Sequence, residues 1–222
     1  MPGGICGTWP AFWMFGVSSL HRLSHPKPTN LSQPNWPAGG EIDIIEGVND
    51  QSTDSITLHT AAGCTVSNSN SASGTVTMKT NCNDNNANTG CGVSTSDSSN
   101  YGTGFNTAGG GVYAMQWSSG GIYVWFWSRA SIPSDVSGGT PDPRGWGTPT
   151  AAFSGSGCDF DTYFQNNNIV FDTTFCGSWA GNVWDSQGSC GNLADTCQDY
   201  VANNPGAFVN AYWLINSVRV YQ

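Results

Sequence analysis

Only two glutamates occur in the 222 residues, Glu41 and Glu46, and both sit in Gly40-Glu-Ile-Asp-Ile-Ile-Glu-Gly47. Glutamate is a common surface residue, so a chain that keeps two of them five positions apart is not using them for solubility. In a strand, side chains alternate between faces, so Glu41 and Asp43 share one face while Ile42 and Ile44 point into a core. Glu46 has the wrong parity for that face. One extra residue, a β-bulge near Ile44–Ile45, brings it back and puts three carboxylates in a row. A solvated acidic edge does not explain why glutamate is missing everywhere else. Such a row suits metal binding, or a paired acid and nucleophile. Two carboxyls about 5–5.5 Å apart are the geometry of bond cleavage at an anomeric carbon with retention. One attacks, and the other protonates the leaving oxygen. Neighbouring negative charge raises the pKa of the proton donor and keeps it protonated.

The elements that position this row are β-strands. Charged residues make up 9% of the chain, and Glu and Lys are nearly absent, which excludes helical bundles and coiled coils. Aromatic and β-branched runs alternate with Gly, Asn, Ser and Pro turns. Glu41–Gly47, Ser55–Thr60, Gly111–Trp117, Gly121–Arg129, Ile169–Phe175 and Ala211–Tyr221 read as strands of a sandwich or barrel. Asn81–Gly90 and Ser134–Thr150 read as surface loops. If the first two strands form a hairpin across Val48–Asp54, His59 lands near Asp43. No linker separates two cores, so residues 1–222 form one domain.

The net charge of −9 argues against nucleic acid and anionic membranes as partners, because both reward Lys and Arg, which total six. No apolar run approaches the roughly 20 residues that span a bilayer. Eight cysteines without repeated C-x-x-C spacing imply disulfides and an oxidising compartment, with Cys82–Cys91 and Cys190–Cys197 the favoured local pairs. The first residues contain no secretory leader. Asn81–Asn88 resembles half a calcium loop without its closing Glu. No metal and no cofactor is therefore expected, and Asp135, Asp142 and Asp172 are expected to face water.

Glu41-Ile-Asp43-Ile-Ile-Glu46 resembles the E-x-D-x-x-E signature of glycoside hydrolase family 16, in the bulged form of its laminarinases. Gly7-Thr-Trp-Pro-Ala-Phe-Trp13-Met, Asn35-Trp36-Pro, Thr57-Leu-His59-Thr60 and Ala211-Tyr-Trp-Leu-Ile-Asn216 are similar to the fungal endo-1,3(4)-β-glucanase branch. The resemblance implies an all-β, concanavalin-like jelly-roll sandwich of two antiparallel sheets with a glucan cleft on its concave face. It implies Glu41 as nucleophile, Glu46 as acid/base, Asp43 as the residue that tunes Glu41, and His59 beside them. Trp13, Trp36 and Trp179 match positions that touch substrate, and Trp117, Trp125 and Trp127 are expected to floor the cleft from alternating strand positions. The implied enzyme is a secreted, monomeric retaining endo-β-glucanase acting on 1,3- or mixed 1,3/1,4-glucans. A transglycosylase, a non-catalytic glucan-binding module and an inactive fragment are the alternatives.

Two departures from the family pattern stand out. The chain starts inside it, which implies that N-terminal strands are missing. Val17–Gln33 is foreign in composition, holding two of the three histidines and no aromatic residue. In the resembled enzymes the flanking segments are nearly continuous. A retained intron accounts for it, since Val17-Ser18, Thr29-Asn30 and Gln33 can be encoded by splice donor, branch and acceptor sequences; a loop insertion is the alternative. The sequon Asn30-Leu-Ser32 falls within this segment.

Overall fold

A computed structural model describes residues 1–17, 36–67, 72–76, 80–84 and 89–222. All but the first residue of the foreign segment therefore lies outside the described residues. Among them, nine strands form two antiparallel sheets. They are β1 (Thr8–Gly16), β2 (Glu41–Glu46), β3 (Ser55–His59), β4 (Thr75–Val76), β5 (Cys91–Ser94), β6 (Gly111–Ser118), β7 (Gly121–Ser128), β8 (Ala151–Ser154) and β9 (Asn167–Phe175). The larger sheet runs β4-β5-β3-β2-β1-β9, and the smaller runs β6-β7-β8.

The core lies between the sheets and follows from alternation. Ile42 of β2 and Ile56 and Leu58 of β3 are fully buried, and they meet Ile122, Val124 and Phe153 of the smaller sheet. Each such side chain contributes about 1.5–3 kcal/mol on burial. The alternate residues of β2 and β3 must then face away from this core. Glu41 stands opposite His59, and Asp43 opposite Thr57.

The parity problem at Glu46 is solved as alternation requires. On β1, Phe15 pairs with Glu41, Trp13 with Asp43, Phe12 with Ile45 and Ala11 with Glu46. The register slips between Phe12 and Trp13, so Ile44 has no partner of its own on β1 and forms the bulge. The partners Phe15, Trp13 and Ala11 are spaced by two, so Glu41, Asp43 and Glu46 share one face. Gly40, just before the strand, has φ 73°, and a Cβ there would strike the Tyr163 carbonyl and the Phe164 ring.

Four disulfides cross-link the chain: Cys6–Cys190, Cys64–Cys158, Cys82–Cys91 and Cys176–Cys197. The local pair Cys82–Cys91 is present, but Cys190–Cys197 is not. Cys190 reaches back to Cys6, and Cys197 to Cys176 at the end of β9. These two bridges enclose a satellite core around Trp184.

Ala211–Tyr221 is not a strand, contrary to its alternation. A strand needs a ladder partner, and this segment has none. Instead the Trp213 indole donates to the Asp172 carbonyl at 2.8 Å, capping the outer edge of β9 with a side chain. Leu214 and Val220 remain 79% and 68% exposed. Among the described residues, no helix is long and apolar enough to cross a membrane.

Candidate active site

The face of β1, β2 and β3 that turns away from the core between the sheets assembles the site. Trp36 Nε1 donates to Glu41 Oε2 at 2.7 Å, and Trp9 Nε1 donates to Glu46 Oε1 at 2.8 Å. Each glutamate thus has its own indole donor. Trp9 has the same parity as Ala11 and Trp13 on β1, which places it on the carboxylate face. Alternation along Trp9-Pro-Ala-Phe-Trp13 could have identified it, but the sequence reading singled out only Trp13.

His59 lies between two carboxylates. Its Nε2 is 3.2 Å from Asp43 Oδ2 and its Nδ1 is 3.3 Å from Asp84 Oδ2. The Trp36 ring lies against the imidazole, with centroids 6.0 Å apart. Asp84 was missed by the sequence reading, which placed Asn81–Gly90 at the surface. Cys82 and Asp84 are in fact buried, in a segment bridged alongside Thr60 just after β3. Residues 85–88 of that loop lie outside the described residues.

A second buried carboxyl supports Glu46 from behind. Asp54 Oδ1 accepts from the Glu46 backbone N–H at 2.9 Å, and Asp54 Oδ2 accepts from the Tyr113 hydroxyl at 3.1 Å. Asp54 lies at the end of the polar β2–β3 connection, and nothing in its local sequence distinguishes it.

The electrostatics follow from burial of several acids around one base. Burial and the neighbouring Asp43 push Glu41 up to about 8, while His59 and the Trp36 N–H favour its anion. Burial and Asp43 raise Glu46 well above the usual carboxylate range, opposed by Trp9 and His59. Burial also pushes Asp54 up to about 8, against the N–H and O–H donors that face it. Burial disfavours a charged imidazolium at His59, but Asp43 and Asp84 outweigh it and push His59 up to about 11. An indole N–H and His59 favour the anion at both glutamates, and burial opposes it at both. Two carboxyls raised above their ordinary range therefore stand side by side on one strand face.

Glu41, Asp43 and His59 offer ligand atoms within 4.8 Å of one another, close enough to surround a cation. His59 Nε2 is turned toward that pair of carboxylates and its Nδ1 toward Asp84.

The tryptophans separate into two groups. Trp13 pairs with Asp43 across the β1–β2 ladder and stacks on Phe15 at 4.9 Å. Trp36 holds Glu41. Trp179, in the short helix Gly177–Ala180, meets Trp9 edge-on at 5.8 Å, one ring removed from Glu46. Trp117, Trp125 and Trp127 do not floor this face, because β6 and β7 belong to the other sheet. Trp117 packs toward the core near Phe164. Trp125 and Trp127 lie on the outer side of that sheet, both under Trp146.

Asp172 also departs from expectation. It pairs with Ala11 on the opposite side from Glu46 and therefore lies on the carboxylate face. Burial raises its carboxyl, against the Trp13 indole N–H. Asp135 instead lies outside the site, binding the Asp142 N–H and the Trp146 indole.

A two-sheet sandwich whose bulged inner strand presents E-x-D-x-x-E on one face defines the jelly-roll glycoside hydrolases. Residues 29–221 match the XgeA-like, catalytic GH16 domain family, and the chain belongs to glycoside hydrolase family 16. It is 42% identical over its whole length to an endo-1,3(4)-beta-glucanase of Emericella nidulans, of which it covers 33%. It is 44% identical to Laminarinase 16A from Phanerochaete chrysosporium, solved with 6-O-glucosyl-laminaritriose in donor and acceptor sites. That comparison has a TM-score of 0.77 and covers 96% of this chain and 66% of the other. An elongating family 16 beta-1,3-glucosyltransferase is 40% identical, with a TM-score of 0.79 and the same coverage of both chains. The chain spans about a third of the length of the first curated relatives it matches, 32% in each.

Proposed function

We propose that this chain forms the catalytic part of a secreted, monomeric retaining endo-β-glucanase that hydrolyses 1,3- or mixed 1,3/1,4-β-glucans. The observation that carries the proposal is the bulged register, which aligns Glu41, Asp43 and Glu46 on one face and gives each glutamate an indole donor. Glu41, whose anion is favoured by Trp36 and His59, attacks the anomeric carbon. The neutral Glu46 carboxyl gives its proton to the leaving oxygen. In the second step Glu46, now a carboxylate, takes a proton from water as that water displaces Glu41 from the sugar. Asp43 holds His59 and sets the charge beside Glu41.

Trp13, Trp36 and Trp179 line the path of the glucan, offering indole faces to the apolar C–H faces of the sugars. The relatives' names and the glucan-bound laminarinase support this substrate class. Four disulfides support an extracellular site of action.

Transfer to a sugar acceptor is the second reading, favoured by the likeness to the glucosyltransferase. It uses the same glycosyl-enzyme, intercepted by a sugar hydroxyl. The test is reducing-sugar release from laminarin by the purified chain, with Glu41→Gln as control. Release that vanishes in the variant supports hydrolysis. Longer oligosaccharides formed from added laminaritriose support transfer, and glucan binding without either product refutes the catalytic proposal.

A further inference from the structure

We propose that Asp84 is a positioning residue for the carboxylate row, gripping His59 from the side opposite Asp43 and so fixing Asp43 beside Glu41. This rests on the catalytic reading above. Asp84 contacts no reacting atom; it acts through the imidazole.

The geometry is that of a clamp. Asp43 and Asp84 face different nitrogens of His59, at 3.2 and 3.3 Å. These are ion-pair distances on opposite nitrogens, so a protonated ring is attracted from both sides at once. Asp84 is itself held on two sides. Its N–H donates to the Thr60 carbonyl at 3.1 Å, and its Oδ1 accepts from the Thr89 N–H at 2.8 Å. It is only 4% exposed.

The surrounding chain is built to keep it there. Cys82 and Cys91 close a disulfide across this loop, and Cys91 pairs with Leu58, the residue before His59. The Cys82 carbonyl accepts from Thr60 N–H at 2.9 Å, tying the other end of the loop to the residue after His59. Gly90 passes so close that a Cβ there would meet the Leu58 carbonyl and come within 2.9 Å of His59 Nδ1. The bridge thus holds Asp84 against the ring.

The charge arrangement explains why a second carboxylate is used. Asp43, Glu41 and Glu46 on β2, and Asp84 on the loop, are the acids whose charge acts on His59. With both nitrogens facing carboxylates, the ring is a fixed cation. That cation compensates Asp43 and favours the Glu41 anion. Without Asp84, the ring can turn and lose a proton, and the nucleophile loses the positive charge that favours its anion.

The experiment is nitrogen-15 NMR of the three histidines across alkaline pH, in the unaltered chain and in Asp84→Asn. The His59 signal is assigned by its loss in His59→Gln. In the unaltered chain both His59 nitrogens should stay protonated well above the ordinary histidine value of about 6.5. In Asp84→Asn the titration midpoint should fall by about 1–3 units, and laminarin turnover should lose kcat with KM unchanged. Asp84→Glu, which keeps the carboxylate, should keep the imidazolium.

A neutral His59 near pH 8 in the unaltered chain overturns the proposal and needs no variant. An Asp84→Asn chain whose His59 titration is unmoved overturns it as well. The NMR arm is independent of turnover, so a chain inactive on laminarin defeats the glucanase reading without deciding the clamp.

Discussion

Replacing Trp36 by Phe keeps an aromatic side chain but removes the five-membered ring and its N–H. The six-membered ring remains to pack against His59, while the indole N–H that donates to Glu41 at 2.7 Å is lost. A hydrogen bond to a charged group contributes about 1.5–3 kcal/mol. This donor favours the Glu41 anion, so its loss raises the Glu41 pKa. At 1.36 kcal/mol per unit the rise is about 1–2 units. Catalysis needs Glu41 ionised, so the acidic limb of kcat/KM moves to higher pH by that amount. The alkaline limb, which reports the proton on Glu46, stays nearly in place.

Trp9→Phe is the counterpart. Trp9 donates to Glu46 at 2.8 Å and lowers its pKa, so removing it raises Glu46 and moves the alkaline limb upward. The two variants therefore separate the roles: one narrows the profile from the acid side, and the other extends it on the alkaline side. The assay is kcat/KM on laminarin from about pH 5 to about pH 11, which brackets a Glu41 limb that starts at about 8. The carboxyls are coupled, so each limb belongs to the pair, and the assignment rests on which variant moves which limb. An acidic limb that stays put or moves downward in Trp36→Phe refutes the assignment of Glu41 as nucleophile. So does a pair of variants that move the same limb.

Three further outcomes are expected. Asp54 and Glu41 are pushed up to about 8, and Glu46 and Asp172 are raised as well, so the folded chain binds protons that the unfolded chain releases. Stability is then fully present below the ordinary carboxylate range and is lost as pH rises toward about 8; thermal unfolding should show Tm falling over that window, with a smaller fall in Asp54→Asn. Trp13→Ala should raise KM for laminarin, whereas Trp127→Ala, on the outer side of the other sheet, should leave it unchanged; equal effects would contradict the placement of the cleft. Non-reducing peptide mapping should recover Cys6–Cys190 and Cys176–Cys197, and a Cys190–Cys197 peptide would contradict the fold at the end of β9.

What was legible in the sequence depended on whether the constraint was local. The bulge follows from parity alone: three carboxylates separated by two and three positions share a face only if one residue is skipped. His59 follows from hairpin register, a count along one short connection. Asp84 follows from neither. It reaches His59 because Cys82 pairs with Cys91 and β5 lies on β3, and an Asn-rich stretch looks like surface until that pairing is known. Cys190 likewise has a near neighbour in Cys197 and a true partner 184 positions away at Cys6. Spacing favours the near one because loop closure is easier over short distances. Tertiary packing overrides it once β9 brings Cys176 to Cys197.

The failure at Ala211–Tyr221 has a different origin. Alternation encodes which faces a strand would show, but a strand also needs an edge to pair with, and that belongs to another part of the chain. Trp117, Trp125 and Trp127 fail for a related reason: Trp125 and Trp127 alternate on one face as expected, but Trp117 faces the core, and all three belong to the other sheet. Side-chain chemistry within one strand could thus be read from the residues, and assignment to one sheet or the other could not. This explains why the carboxylates were located and their aromatic surroundings only partly so. Glu41, Asp43 and Glu46 need one strand, whereas the cleft around them needs the order β3-β2-β1-β9. That order brings Asp172, expected in water, onto the same face as Glu46, with only Ala11 between them.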